Sequence, residues 1–223
     1  MARTFWNADH LLANGETKLL DVATYVDPDF PRMFSLELVQ GNYDDVLREP
    51  NSVLLSQSAA TALFGDENPM GKTLRADQRA DVQVTGVYKD LPPGSSFQQK
   101  FFLPWANFEA MEWVSEAKKL WEWDNHFFQV FVQLNEQADL AATSAKIKDV
   151  EKNKRQNAEQ INPQMFLHPM RDWHLRSKFE EGVNVGGRIQ YVQLFGIIGA
   201  FVLLLACINF MNLSTARSES RAK

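Results

Sequence analysis

Twenty-eight consecutive residues between Arg188 and Arg217 carry no charged side chain, and inside them Leu194–Ile208 reads LFGIIGAFVLLLACI, broken only by Gly196 and Gly199. An α-helix rises about 1.5 Å per residue, so roughly 20 residues cross a hydrocarbon core of about 30 Å. This stretch crosses with residues to spare. The competing reading is a helix buried in a water-soluble core, but residues 1–188 are too few to wrap such a helix on all sides. Its place at the C-terminal end of the sequence does not fit a signal peptide. The sequence therefore predicts one membrane-spanning helix over residues 188–216, with 217–223 beginning a cytoplasmic segment.

Charge divides the chain at the same point. Residues 1–188 hold 27 acidic and 20 basic side chains, whereas residues 189–223 hold one acid and three bases. Arg217, Arg221 and Lys223 cluster just past the span, which by the positive-inside rule keeps that end in the cytoplasm and leaves residues 1–187 outside. A net charge of -5 over the chain offers no basic field for nucleic acid. Asn209 and Asn212, near the cytoplasmic end, either hydrogen-bond to neighbouring helices of a bundle or lie in the interfacial layer. The single cysteine, Cys207, sits within the span, so no disulfide is expected outside it.

The exterior reads as a mixture of strands and helices. Lys18–Val26 suits a strand, stopped by Asp27-Pro28 and a short helix through PDFPRMF. Ser52–Leu55 reads as a strand running into a helix QSAATALF, capped by Ser56 and ended by Gly65. KTLRA and DVQVTGVYK read as a hairpin, FQQKFFL as a strand, and Pro104 opens a helix predicted to run to about Leu120. A βαβ unit is expected next: a strand over His126–Leu134 with Phe128, Val130, Val132 and Leu134 on its apolar face, a helix over Ala138–Ala158, and a strand over Gln164–Met170. The fold class is therefore α+β, with a layer of residues 1–44 and 96–187 interrupted by a β-rich insert at 45–95.

Motifs for chemistry do not survive their spacing. GDENPMGKT (Gly65–Thr73) has five residues before Gly-Lys-Thr where a P-loop has four, and Lys72 opens a strand rather than a helix. His10, His126, His168 and His174 lack ligand spacing, so no metal is expected. Glu109, Glu112 and Glu116 share a helical face, which suits either paired-carboxylate hydrolysis or a solvated acidic face beside Lys118 and Lys119. No cofactor or catalytic residue is expected. The aromatic run WEWDNHFFQVF with Trp113 reads as core packing or as a recognition platform.

Four segments in order, YVDPDFPRMFSLELVQGN, PNSVLLSQSAATALFGDENPMGKTL, VTGVYKDLPPGSSF and the tail LLLACINFMNLSTARSESRAK, closely resemble permease subunits of MacB/FtsX-type ABC transporters. The resemblance implies a MacB-like periplasmic core domain, a porter-like α+β layer with an inserted β-rich subdomain. It implies too that the present span is the second of four membrane helices, so that one helix precedes this chain and two follow it. It further implies a bacterial inner-membrane location, a separate cytoplasmic ATPase subunit met through Arg217, Arg221 and Lys223, and a second permease copy. A periplasmic partner or cargo is also implied. Gly186 and Gly187, in VGGRIQYV, stand where exterior meets span and read as a hinge or as an ordinary turn. The alternative within the same resemblance is a membrane-anchored interaction module that regulates an envelope enzyme or sensor without transport.

Overall fold

The computed structural model describes residues 1–120, 123, 126, 128–155 and 158–221. Two units of different construction emerge, residues 1–142 with 151–163, and residues 143–150 with 164–223.

The first unit is built on strands β1 (Ala2–Phe5), β2 (Ala8–Asn14), β3 (Thr17–Val26), β4 (Leu38–Gln40), β5 (Ser52–Ser56), β6 (Thr73–Ala76), β7 (Ala80–Tyr88), β8 (Phe101–Pro104) and β9 (Phe128–Phe131). In hydrogen-bonded order β2, β6, β7, β5, β8 and β3 follow one another, and β2 also pairs with β3, which closes the six into a ring. Closure removes free edges. From β3 the sheet continues through β1 to β9, and β4 joins β7. The expected hairpin of KTLRA and DVQVTGVYK is present as β6 and β7, antiparallel from Thr73↔Gln83 to Ala76↔Ala80. Residues 45–95 supply β5, β6 and β7, which are hydrogen-bonded on both sides to strands from outside that segment.

Strand β5 is buried along its whole length because it lies between β7, parallel, and β8, antiparallel. Helix α1 (Phe30–Met33) is the expected short turn of helix, and α2 (Gln57–Phe64) begins at Ser56, whose Oγ accepts the Ala59 amide proton at 3.2 Å. Gly65 ends α2 at φ 61° and ψ -126°, a conformation that disfavours side chains. Ala59, Leu63 and Phe64 of α2 pack on Leu12, Val53, Leu55, Val82 and Leu103 of the ring. Phe30, Phe34, Phe97, Phe102 and Phe131 form a second, aromatic contact set, with Phe34 and Phe131 edge to face at 5.2 Å.

Three local expectations are corrected. The single helix from Trp105 to Leu120 is two, α3 (Trp105–Glu109) and α4 (Glu112–Leu120). Trp105 and Val114 are both buried yet lie nine residues apart, two and a half turns, so an unbroken helix would place them on opposite faces. On β9 the buried residue is Phe131, while Phe128, Val130 and Val132 are exposed. Among the described strands β9 pairs only with β1, through Ala2↔Phe131 to Phe5↔Phe128, and Phe131 fills the aromatic set. The βαβ unit does not form. The helix α5 (Leu140–Ile147) is short, turns follow it, and α6 is Ala158–Ile161. Residues 164–169 pair with no strand among the described residues: Pro169 lacks an amide proton, the Met165 and Leu167 amides donate instead to Lys148 O and Ser144 Oγ, and Met170 already begins a 3₁₀ turn.

The second unit carries a 3₁₀ turn at Met170–Asp172, the hairpin β10 (Lys178–Glu180) and β11 (Val183–Gly186), and the helix α7 (Ile189–Arg221). Glu181 and Gly182, at φ 50° and 78°, make the two-residue loop that a hairpin twist prefers. The 27 residues Ile189–Thr215 are long and apolar enough to cross a membrane, and none of their apolar window is buried. α7 runs without interruption through the predicted span and into the predicted cytoplasmic segment.

Candidate functional site

Of the three carboxylates that suggested hydrolysis, Glu109 is held in ion pairs. Glu109 accepts from Lys118 Nζ at 2.7 Å and from Arg3 Nη1 at 3.1 Å, and Arg3 in turn grips Asp27 at 2.9 and 3.0 Å. Arg3 also lies over the Trp105 ring, 4.8 Å from its centroid. Burial pushes the Glu109 carboxyl up, but the hydrogen bond from Lys118 and the charges of Lys118 and Arg3 outweigh it and hold the group below the usual range. A general acid needs the opposite shift. Glu112 lies on the wall of a separate cleft and Glu116 is exposed.

A second cluster, Ser58, Lys100 and Asp90, has the residue types of a serine–lysine dyad. Lys100 Nζ is 3.1 Å from Ser58 Oγ, but also 3.3 Å from Asp90 Oδ1, and Ser58 Oγ donates to that same carboxylate at 2.5 Å. Burial disfavours the Asp90 charge, yet hydrogen bonds from Ser58 and Lys100 hold its carboxyl below the ordinary value. The trio is therefore an ion-paired brace at the start of α2, with the serine proton committed to an ionised carboxylate.

In the Gly65–Thr73 segment, whose spacing excluded a P-loop, Lys72 is paired with Glu67 and sits over the Phe64 ring, and Thr73 begins β6. His10 Nδ1 is paired with Asp77 at 2.7 Å and its ring meets Tyr25 edge-on. Tyr25 lines a cleft of about 700 Å³ bounded by the β6–β7 turn, α3 and the start of α4, with Arg79, Glu112 and Trp113 on its walls. Burial and the Asp77 charge push the Tyr25 phenol up to about 12. Of the aromatic run that reads as core packing or as a recognition platform, Trp121 and Phe127 lie outside the described residues. Phe128 packs edge to face on Trp105, and Trp113 on Phe108.

A further hydrogen-bonded arrangement lies in the second unit, where α7 starts. The Ile189 amide donates to Leu175 O at 3.0 Å, and Gln190 Nε2 donates to Val185 O of β11 at 3.2 Å. Asn184 closes the loop by donating to Arg176 O at 2.6 Å and accepting from the Gly186 amide at 2.9 Å. Gly186 and Gly187 hold φ of 108° and 132°. A Cβ on Gly187 would lie 3.0 Å from Leu175 O and 3.3 Å from Ser177 N, so this position admits only glycine without a shift. The helix is bonded through its Ile189 amide to Leu175 O, ahead of the hairpin, and through the Gln190 side chain to Val185 O of β11, with no long linker between.

The other residues predicted to matter fall along α7. Asn209 and Asn212 lie on it and are exposed, as is Arg217. Arg221 is its last residue, and Lys223 lies outside the described residues. The reading of the sequence missed the β10–β11 hairpin, for which Glu181-Gly182 between apolar-alternating flanks was the available signal.

The profile of the MacB-like periplasmic core domain matches residues 3–150. The chain belongs to this family. It is a MacB-like periplasmic domain of the kind found in permease-type ABC transporter proteins, followed by an apolar helix. A solved domain of a permease protein from Porphyromonas gingivalis is similar over 76% of this chain and 76% of its own, with 24% identity and a TM-score of 0.58. The periplasmic region of MacB from Actinobacillus actinomycetemcomitans matches at 18% identity and TM-score 0.48, covering 69% of this chain and 66% of that one. The extracellular domain of the ABC-type transporter YknZ from Gram-positive bacteria matches at 13% and 0.46, covering 75% and 80%. No curated protein matches the chain.

Proposed function

We propose that this MacB-like chain is the periplasmic and second-helix part of a permease subunit in the bacterial inner membrane, and that it transmits motion rather than catalysing a reaction. A separate cytoplasmic ATPase, dimerising on ATP, moves the membrane helices, and α7 carries that motion to the periplasmic domain for export or other envelope work. The observation that supports this reading is the joint: α7 is a single helix of 33 residues, about 50 Å long, whose first turn is hydrogen-bonded to Leu175 O and, through the Gln190 side chain, to Val185 O of the β10–β11 hairpin. A flexible tether would dissipate the displacement. In this reading Arg217, Arg221 and Lys223 meet the ATPase, Asn209 and Asn212 bond to neighbouring helices, and a second permease copy completes the assembly.

Co-purification of the full-length permease with its ATP-binding subunit tests the assignment. Charge reversal at Arg217, Arg221 and Lys223 is expected to leave membrane insertion intact and to abolish co-purification. Retention of both overturns their role. If ATP hydrolysis alters the activity of an envelope partner but releases no cargo, the chain is an anchored regulatory module and not part of an exporter.

A further inference from the structure

We infer that residues 164–188 form a foot that rests in the headgroup layer of the membrane and binds anionic phospholipid. This rests on the reading of α7 as a membrane span. Three observations converge on it.

The first is position. Leu175 O accepts the amide of Ile189, and Val185 O accepts from the Gln190 side chain, so the 3₁₀ turn and the hairpin are bonded to the first turn of the apolar helix. Whatever layer holds Ile189 holds Leu175 and Val185 within a few ångströms. The charge-free stretch opens at residue 189, so that layer is the boundary between water and hydrocarbon.

The second is incomplete burial. Among the described residues from 159 to 221 none is fully buried, and Met165, Phe166, Met170 and Val183 are 37–65% exposed. Phe166, tilted, and His168, edge-on, each meet Phe179 at 5.2 Å, and Trp173 Nε1 donates to His168 O, giving a small aromatic nucleus with apolar side chains around it. Such a nucleus lacks the apolar cover that stabilises a water-soluble fold. A tryptophan such as Trp173 beside an apolar helix end suits the interfacial belt.

The third is charge. Residues 164–188 hold four bases, Arg171, Arg176, Lys178 and Arg188, against three acids, while residues 1–163 hold sixteen bases against twenty-four acids. Taken as a whole the rest of the exterior is acidic, whereas the part bonded to the span is net cationic. Arg171 is engaged only loosely, 3.9 Å from Asp172 with 84% of its side chain exposed, and Arg188 is exposed. Each such base near an anionic surface contributes roughly 1 kcal/mol, about a fivefold change in occupancy.

The full chain, reconstituted in phosphatidylethanolamine vesicles with or without phosphatidylglycerol, tests this by depth-dependent quenching. In a Cys207→Ala background, single cysteines replacing Met170, Val183, Leu204 or Val39 carry an environment-sensitive fluorophore, and spin-labelled lipids carry the quencher in the headgroup or deep in the acyl chain. The expected result is headgroup quenching at 170 and 183, acyl-chain quenching at 204 and none at 39. Arg171→Gln with Arg188→Gln is expected to reduce the headgroup quenching several-fold in the anionic vesicles and to leave the neutral ones unchanged. Quenching at 204 with 170 and 183 as dark to lipid as 39 overturns the foot and leaves the span standing. Shielding of 170 and 183 accompanied by cross-linking between copies assigns the surface to protein and overturns the lipid proposal equally. Absence of quenching at 204 removes the span and the foot together.

Discussion

Ser56 ends a fully buried strand and starts a helix in a single residue, its hydroxyl accepting the Ala59 amide that the helix cannot satisfy internally. Ser56→Ala is expected to lower stability by about 1 kcal/mol in denaturant unfolding, the ordinary worth of a cap. Glu109 works at longer range, joining α4 through Lys118 to β1 through Arg3. Because its carboxyl is held below the usual range, its contribution is complete at neutral pH and is lost as pH falls from about 4.3 through the lower folded value. With a third of the side chain exposed, solvent limits that contribution to under about 1 kcal/mol. Glu109→Gln is expected to flatten the acid limb of the stability–pH profile, and an unchanged limb would place the acid sensitivity elsewhere, Asp90 first.

At the scale of elements, what the sequence made legible was whatever is dictated locally. The Ser56 cap, the Gly65 stop, the β6–β7 hairpin and the apolar helix each follow from residues within a few positions of one another. The junction site was legible as a place, through Gly186 and Gly187, but not as a bonded joint, because the Leu175 carbonyl that receives Ile189 lies fourteen residues away. The failures have the same cause. Trp105 and Val114 fit one helix by composition, and only the shared core into which both turn forces the break at Ala110 and Met111. On β9 the alternation offered Phe128, Val130 and Val132 as the inner face, whereas Phe34 and Phe97, nearly a hundred and over thirty residues distant, select Phe131. The two faces are separable by mutation. Phe131→Ala is expected to cost about 3 kcal/mol and Val130→Ala no more than about 0.5, measured by thermal or denaturant unfolding; the reverse order would mean that β9 is shifted by one residue.

At the scale of the whole molecule, the two units differ in what holds them. The first closes six strands into a ring around a core in which Val53, Leu54, Leu55, Phe101 and Phe102 are wholly buried. Amides there exchange with solvent only when the unit opens as a whole. The second unit buries no described residue from 164 onward, so the β10–β11 amides depend on a hairpin of seven strand residues and on its bonds to α7. Hydrogen exchange on the full chain in bilayers is expected to rank β5 and β8 slowest, with the span of α7 also protected because hydrocarbon excludes the exchanging water. The hairpin is expected to exchange fastest of the three through local opening. Gly187→Ala, whose Cβ would press on Leu175 O, is expected to speed hairpin exchange further while leaving β5 and β8 unchanged. If the substitution instead accelerated all three together, the joint would open with the cooperative core and would not be separately stabilised.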